Sequence, residues 1–167
     1  SYIIARFEAY HDFEDINSEI TKVNTPAFID SIDFENITSE ATAISVAYLS
    51  GILGDFLGEE KLNPTVNGRM SSETFEFDIF DKKFLQNQSI RVVNSQIEID
   101  GGYESFNSLA LIEAKNSISK DFLVRQIYYP FRLFDNKIRK LIKPVFLTYT
   151  NGIFNLYEYK FEDPFNY

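Results

Sequence analysis

The sequence predicts an α/β (α+β) domain whose mixed β-sheet is flanked by helices, in the order α-β-β-β-α-β-β behind an acidic N-terminal segment. Three observations lead there. The chain has 167 residues, 44% of them hydrophobic, enough for one well-buried core. Its apolar positions change period along the chain, from helical spacing to strict alternation and back. Near the end, Asn151-Gly152 stands between two β-rich runs, a strong hairpin signal because both residues accept positive φ. Residues 1–37 are expected to form a strand and loop extension, and 38–160 the core of a single domain spanning 1–167.

Taken in order, "SYIIARFEA" alternates as an opening strand, and the acidic stretch to about Asn36 reads as loops and turns. "TSEATAISVAYLSGILGDFLG" is expected to be one helix, capped by Thr38 or Ser39, with Glu40 in the first turn and Gly58 as its stop. "EEKLNPTVNGRM" has the Pro, Asn and Gly content of a loop. "ETFEFDIF" sets Phe75, Phe77 and Ile79 against Glu76 and Asp78 as a half-buried strand. "SIRVVNSQIEID" reads as a second strand and "SLALIEAK" as a third. Between them lies "GGYESFN", whose paired glycines permit a sharp exit. "SISKDFLVRQIYYPFRLFDNKIRKLI" predicts a long helix capped by Ser117 or Ser119 and kinked at Pro130. "KPVFLTYT" and "IFNLYEYKF" complete the hairpin.

Composition narrows the chemistry. With no cysteine, disulfides, thiolate zinc sites and cysteine nucleophiles are excluded. The single His11 means that a Ser–His pair would have to use it, and that a metal centre would be built mainly from carboxylates, which suits hard cations. No apolar run is long enough for a membrane span and no leader is visible, so a soluble, cytoplasmic protein without membrane partners is expected. The first residue is Ser1 and the only methionine is Met70, which suggests a processed chain or a fragment of a longer one. The net charge is −9. Residues 1–60 carry twelve acids against Arg6 and Lys22, whereas 120–143 carry seven bases against Asp121 and Asp135. That basic stretch either solvates an exposed helix face or grips a polyanion.

The chemically informative stretch is "QIEIDGGYESFNSLALIEAKNS", where two apolar runs each end in charge. Alternation places Gln96, Glu98 and Asp100 on one face of a strand, and Leu109, Leu111, Glu113 and Lys115 on one face of the next. If the strands are neighbours, Asp100 and Glu113 converge at one end of the sheet beside Lys115. Two carboxylates at about 4 Å repel by about 4 kcal/mol at an effective dielectric near 20, and a divalent cation removes that penalty. Magnesium, with manganese able to substitute, fits such oxygen donors, and the lysine can orient a water toward phosphorus. Acid-x-Lys also occurs at Glu59-Lys61, Asp81-Lys83, Asp135-Lys137 and Glu158-Lys160. Only the copy at Glu113 follows a strand ending in Asp and precedes a helix. Read singly, the same residues would be a solvated strand end with Lys115 neutralising Glu113.

"EIDGGYE", "ALIEAKN", "SKDFLVRQIYYPF" and "KPVFLTYT" together resemble the core of the PD-(D/E)XK nuclease superfamily, in its restriction-endonuclease-like branch, over roughly residues 38–150. The proline of that signature is replaced by Ile99. The resemblance implies that Asp100 and Glu113 bind magnesium and that Lys115 completes the catalytic set. It further implies hydrolysis of double-stranded DNA to 5′-phosphate ends by the cleavage domain of a bacterial type II restriction enzyme, acting with an upstream recognition domain and as a homodimer or with a partner subunit. A repair or junction-resolving nuclease of the same superfamily, or a non-catalytic binding module, are the alternatives.

Other residues have two readings each. Gln126 either steadies the site, as a glutamine does in some relatives, or is solvated. Arg125 and Arg132 either meet phosphates or are surface charge. Glu40 either approaches the metal or complements the helix dipole. Glu98 is an outer ligand or a polar strand residue, Glu104 belongs to a loop, and His11 is expected at the surface.

Overall fold

The computed structural model describes residues 20–116 and 122–167; the expected opening strand and the Ser117 or Ser119 cap lie outside them. The elements described are α1 (Glu40–Leu49), α2 (Ile52–Leu57), β1 (Asn63–Ser71), β2 (Thr74–Asp81), β3 (Gln86–Val93), β4 (Gln96–Glu104), β5 (Ser108–Lys115), α3 (Arg125–Lys137), β6 (Leu141–Thr150) and β7 (Ile153–Glu158). They form a mixed α+β fold: a five-stranded sheet in the order β1-β4-β5-β6-β7, and a separate two-stranded β2-β3 sheet.

Ser39 caps α1 as expected, its Oγ accepting the N–H of Thr42 at 3.0 Å. The single helix expected to Gly58 is instead two, because Gly51 adopts φ 78° and breaks the ladder before α2 resumes; Gly58, at φ 68°, does close it. The interruption lets Leu53 and Leu57 join Ala43, Ile44 and Ala47 in one cluster on the sheet.

The segment expected as a loop before Met70 is the edge strand β1, antiparallel to β4. Pro64 is tolerated there because an edge strand needs no donor on its outer side. "SIRVVNSQIEID" is two strands rather than one. Asn94 at φ 48° and Glu73 at φ 59° bend the long β1–β2 and β3–β4 ribbon at a corner, and the N–H of Asn94 bonds the Glu73 carbonyl at 2.9 Å across it. The bend lays β2–β3 over α3, where Phe75, Phe77 and Ile79 are buried.

Gly101 and Gly102 do not end β4, which runs on to Glu104. A Cβ on Gly102 would stand 2.7 Å from the Val66 carbonyl oxygen, so the glycine permits the close approach of β1. β5 is buried on both faces, with Ala110, Ile112 and Ala114 toward α1 and α2, and Leu109 and Leu111 toward α3. α3 connects β5 to β6, which is parallel to it. The helix stops at Lys137, with Ile138 already extended, because Leu141 and Ile142 belong to β6. β6 and β7 form the expected hairpin, with Asn151 at φ 50° and Gly152 at φ 79°. No described helix is long and apolar enough to cross a membrane.

Candidate functional site

A cleft opens where two strands part. β4 pairs with β5 only from Gly101↔Ile112 to Glu104↔Leu109, while β5 stays paired with β6 as far as Lys115↔Thr148. Against β1, the pairs Val66↔Gly102 and Gly68↔Ile99 leave one extra residue on β4, a bulge at Asp100–Gly101. The bulge resets the alternation. Ile97 and Ile99 pack toward α3, whereas a Cβ on Gly101 would meet Ile44 of α1. The uninterrupted alternation expected from Gln96 onward therefore ends at Asp100, which the register continued from Gly101↔Ile112 would set opposite Glu113, although the ladder itself stops at Gly101. Instead the Asp100 carboxylate bridges the gap, Oδ2 accepting the Ala114 N–H at 2.9 Å in place of a strand partner.

Glu113 is 5% exposed. Its Oε1 accepts from Lys115 Nζ at 2.6 Å and also from the side-chain amide of Gln126. Lys115 Nζ donates further to the Ala114 carbonyl at 3.1 Å and lies 3.8 Å from Glu40 Oε1. Burial, then the neighbouring charge of Asp100, pushes the Glu113 carboxyl up from 4.5 to about 7 against the opposing pull of Lys115. For Lys115 burial favours loss of the proton, but Glu113, Glu40 and Asp100 outweigh it and hold the ammonium above its ordinary range. Burial leads the shift of Glu113 and opposes that of Lys115, while the shared excess of carboxylates around one ammonium adds to both. The same residues, with Glu98, Leu123, Arg125 and Tyr129, line a cleft of about 510 Å³.

Asp100, Glu113 and Lys115 are thus brought together, and Glu40 and Gln126 join them. Glu98 lines the cleft but is paired with Arg69 at 3.3 Å. Arg125 is exposed at the cleft, its guanidinium 5.4 Å from the Tyr129 ring centroid. Arg132 is not available to phosphate: it is 3% exposed, donates to the Glu76 and Pro164 carbonyls and lies over the rings of Phe75, Tyr128 and Phe165. Glu104 is the last residue of β4 rather than a loop residue, and binds Lys140 at 2.5 Å. With Lys137 on Glu73 and Lys143 on the Leu57 carbonyl, much of the basic excess of 120–143 is tied into the fold. His11 lies outside the described residues. Two participants escaped the sequence reading: the Ala114 N–H, which only the strand divergence exposes, and Arg69, hidden by the loop composition of β1.

Among the described residues, no group of three or more His, Cys, Asp or Glu is placed to hold a metal ion. The donors at hand are the carboxylates of Asp100 and Glu113. Their excess negative charge and oxygen chemistry fit a hard divalent cation that keeps water or substrate oxygens in its remaining positions. The model of a family described as "Domain of unknown function (DUF6997)" matches residues 5–167. Comparison with curated proteins and with solved structures found no match in either.

Proposed function

The chain belongs to the DUF6997 family, whose description names no activity, and from the cleft geometry we propose that it is a magnesium-dependent endonuclease of PD-(D/E)XK, restriction-endonuclease-like type acting on double-stranded DNA. The observation that carries the reading is the buried Glu113 carboxylate, raised to about 7 beside Asp100 and bonded to Lys115 at the mouth of diverging strands. A structural ion pair would need neither the second acid nor the open edge. Asp100 and Glu113 would hold the cation. When bound, it supplies a Lewis acid that offsets charge developing on the phosphate and favours ionisation of a nearby water.

The protein groups act around that centre. The Ala114 N–H fixes one oxygen of Asp100, leaving the other for ligation. Gln126 and Lys115 fix Glu113, so both carboxylates are held before substrate arrives. Lys115, kept as the ammonium, donates to a non-bridging phosphate oxygen or to the attacking water and stabilises the transition state electrostatically. Water loses a proton to solvent as its oxygen bonds phosphorus, the bond to the 3′-oxygen breaks and that oxygen takes up a proton, and the 5′-phosphate remains on the downstream strand. Arg125 at the rim is placed to meet a neighbouring phosphate. In this proposal the chain is the cleavage domain of a bacterial type II restriction enzyme, and a second copy or a partner subunit cuts the second strand.

The test is magnesium-dependent nicking of supercoiled plasmid by wild type and Lys115→Ala. Loss of about a hundredfold or more in rate is expected; full retention overturns the assignment. Asp100→Asn should also abolish the heat of magnesium binding in calorimetry, and a wild-type protein silent to both magnesium and manganese would favour the non-catalytic module.

A further inference from the structure

The β2–β3 ribbon ends in a turn fixed by one buried carboxylate. Asp81, 2% exposed, accepts the N–H groups of Lys83 at 2.7 Å and Phe84 at 3.2 Å on Oδ1, and the Gln88 amide at 2.9 Å on Oδ2. The N–H of Leu85 bonds the Asp81 carbonyl at 2.8 Å. What this ordered turn displays is apolar: Phe84 is 60% and Leu85 76% exposed. Leu85 also sits at φ 52°, a left-handed conformation disfavoured for leucine. Both features oppose stability and neither is needed to reverse the chain, since Asn or Gly would suit the position better.

The charge around them differs from the rest of the molecule. From Lys82 to Ile97 the sequence holds Lys82, Lys83 and Arg91 and no acid, in a chain of net charge −9. The Lys83 ammonium lies 5.0 Å from the Phe84 ring centroid, so the cationic and apolar groups form one surface.

The direction of the ribbon relates this tip to the cleft. Contacts of β2 and the residue before it with α3 run in opposite order along the two elements: Glu73 pairs with Lys137 at 2.7 Å, Arg132 donates to the Glu76 carbonyl at 3.1 Å, and Phe77 meets Tyr128 edge-on at 5.3 Å. The ribbon therefore runs toward the first turn of α3, the turn that gives Arg125 and Gln126 to the cleft. At about 3.3 Å per residue the tip lies about 15 Å beyond Phe77, or about four to five base-pair steps of duplex.

We propose that the β2–β3 tip is a DNA-contacting arm, in which Lys82 and Lys83 lie against phosphates while Phe84 and Leu85 enter the minor groove as an apolar wedge beside the phosphodiester at the cleft. The proposal rests on reading that cleft as a DNA-cleaving site. Apolar wedges flanked by basic side chains kink a duplex by partly unstacking one step, which would present a strained backbone to the neighbouring carboxylates. A Lys-Phe-Leu tip also suits an anionic membrane surface, but a ribbon that runs toward the end of α3 bordering the cleft favours the duplex.

The experiment measures binding of a short fluorescent duplex by anisotropy in EDTA across a salt series, with thermal melting to confirm folding. Lys82→Ala with Lys83→Ala should weaken binding and reduce the slope of log K against log salt by about 2. Phe84→Ala with Leu85→Asn should weaken binding about tenfold at every salt concentration without changing the slope. Wild-type protein that does not bind duplex, or variants that bind as wild type does, overturn the proposal. So does loss of binding to phosphatidylserine-containing vesicles with duplex binding unchanged, which would assign the tip to a membrane. No metal is present in this assay, so tip-dependent binding together with absent plasmid cleavage refutes the cleavage reading alone.

Discussion

The charge of Glu113 should set a measurable slope of stability against pH. Its carboxyl titrates at about 7 in the folded protein and near 4.5 when the chain is unfolded. Below pH 4.5 both states carry the proton and the group has no effect on folding. Between 4.5 and 7 the folded state holds more protons than the unfolded one, so stability falls as pH rises; above 7 the loss is complete. At about 1.4 kcal/mol per tenfold change in proton affinity, the full loss is about 3 kcal/mol. For a domain of this size that corresponds to about 6–12 °C in Tm. Glu113→Gln keeps an acceptor for Lys115 and Gln126 but cannot ionise. The assay is urea unfolding of wild type and Glu113→Gln at half-unit steps from pH 4.5 to 8.5 without divalent metal. The difference between the two should widen in favour of the variant by about 3 kcal/mol across that range, other carboxylates cancelling in the subtraction. Magnesium should restore most of the lost stability in wild type at pH 8 and none in the variant, because only the wild type offers a second anionic ligand. Parallel curves for the two proteins would refute the electrostatic account of the cleft.

Other positions give independent checks. Gly102→Ala sets a Cβ 2.7 Å from the Val66 carbonyl oxygen and should cost about 2 kcal/mol in urea unfolding as β1 is pushed off β4. Arg132→Ala should destabilise by about 3 kcal/mol in the same assay, since it strands the Pro164 and Glu76 carbonyls and opens a space among aromatic rings. Asp100→Ala, unlike Asp100→Asn, leaves the Ala114 N–H without its acceptor and should lower metal-free stability by about 1–3 kcal/mol, read as a lower Tm.

How much of this was legible in the sequence depends on whether a residue's role is local. Ser39, Gly58 and Asn151-Gly152 act through their own φ/ψ or the next turn of backbone, and each does what its type predicts. The strand pattern of β5 was readable because its apolar run and its charged end both follow from burial by helices on two sides. The errors share a different origin. β1 reads as a loop because Pro64, Asn67 and Gly68 are tolerated only by virtue of its edge position, which depends on β4 lying beside it. The glycines of β4 read as a strand exit because nothing local shows that Val66 comes within contact of Gly102. Arg132 looks like a surface cation because the carbonyls and rings that hold it come from β2 and from the last residues of the chain.

The acids converge because the β4–β5 register, continued by one residue, sets them opposite each other. Continued one residue past Gly101↔Ile112, a regular β4 would set Asp100 directly opposite Glu113 and Ile99 opposite Ala114. The bulge does two things at once: it halts the β4–β5 ladder at Gly101 and frees the Asp100 side chain to replace the missing backbone acceptor. Strand divergence, which leaves room for a ligand, and the Asp100 bond to Ala114, which holds a carboxylate beside that room, therefore occur at the same bulge. Gly101 is what allows that insertion to stay compact, since any Cβ there would press on Ile44 at 3.2 Å and on the Tyr103 ring at 3.1 Å. The pair has no structural need to be anionic, because an asparagine at 100 would also accept from the Ala114 N–H. The charge is what the fold does not require, and the proposed metal site is what would use it.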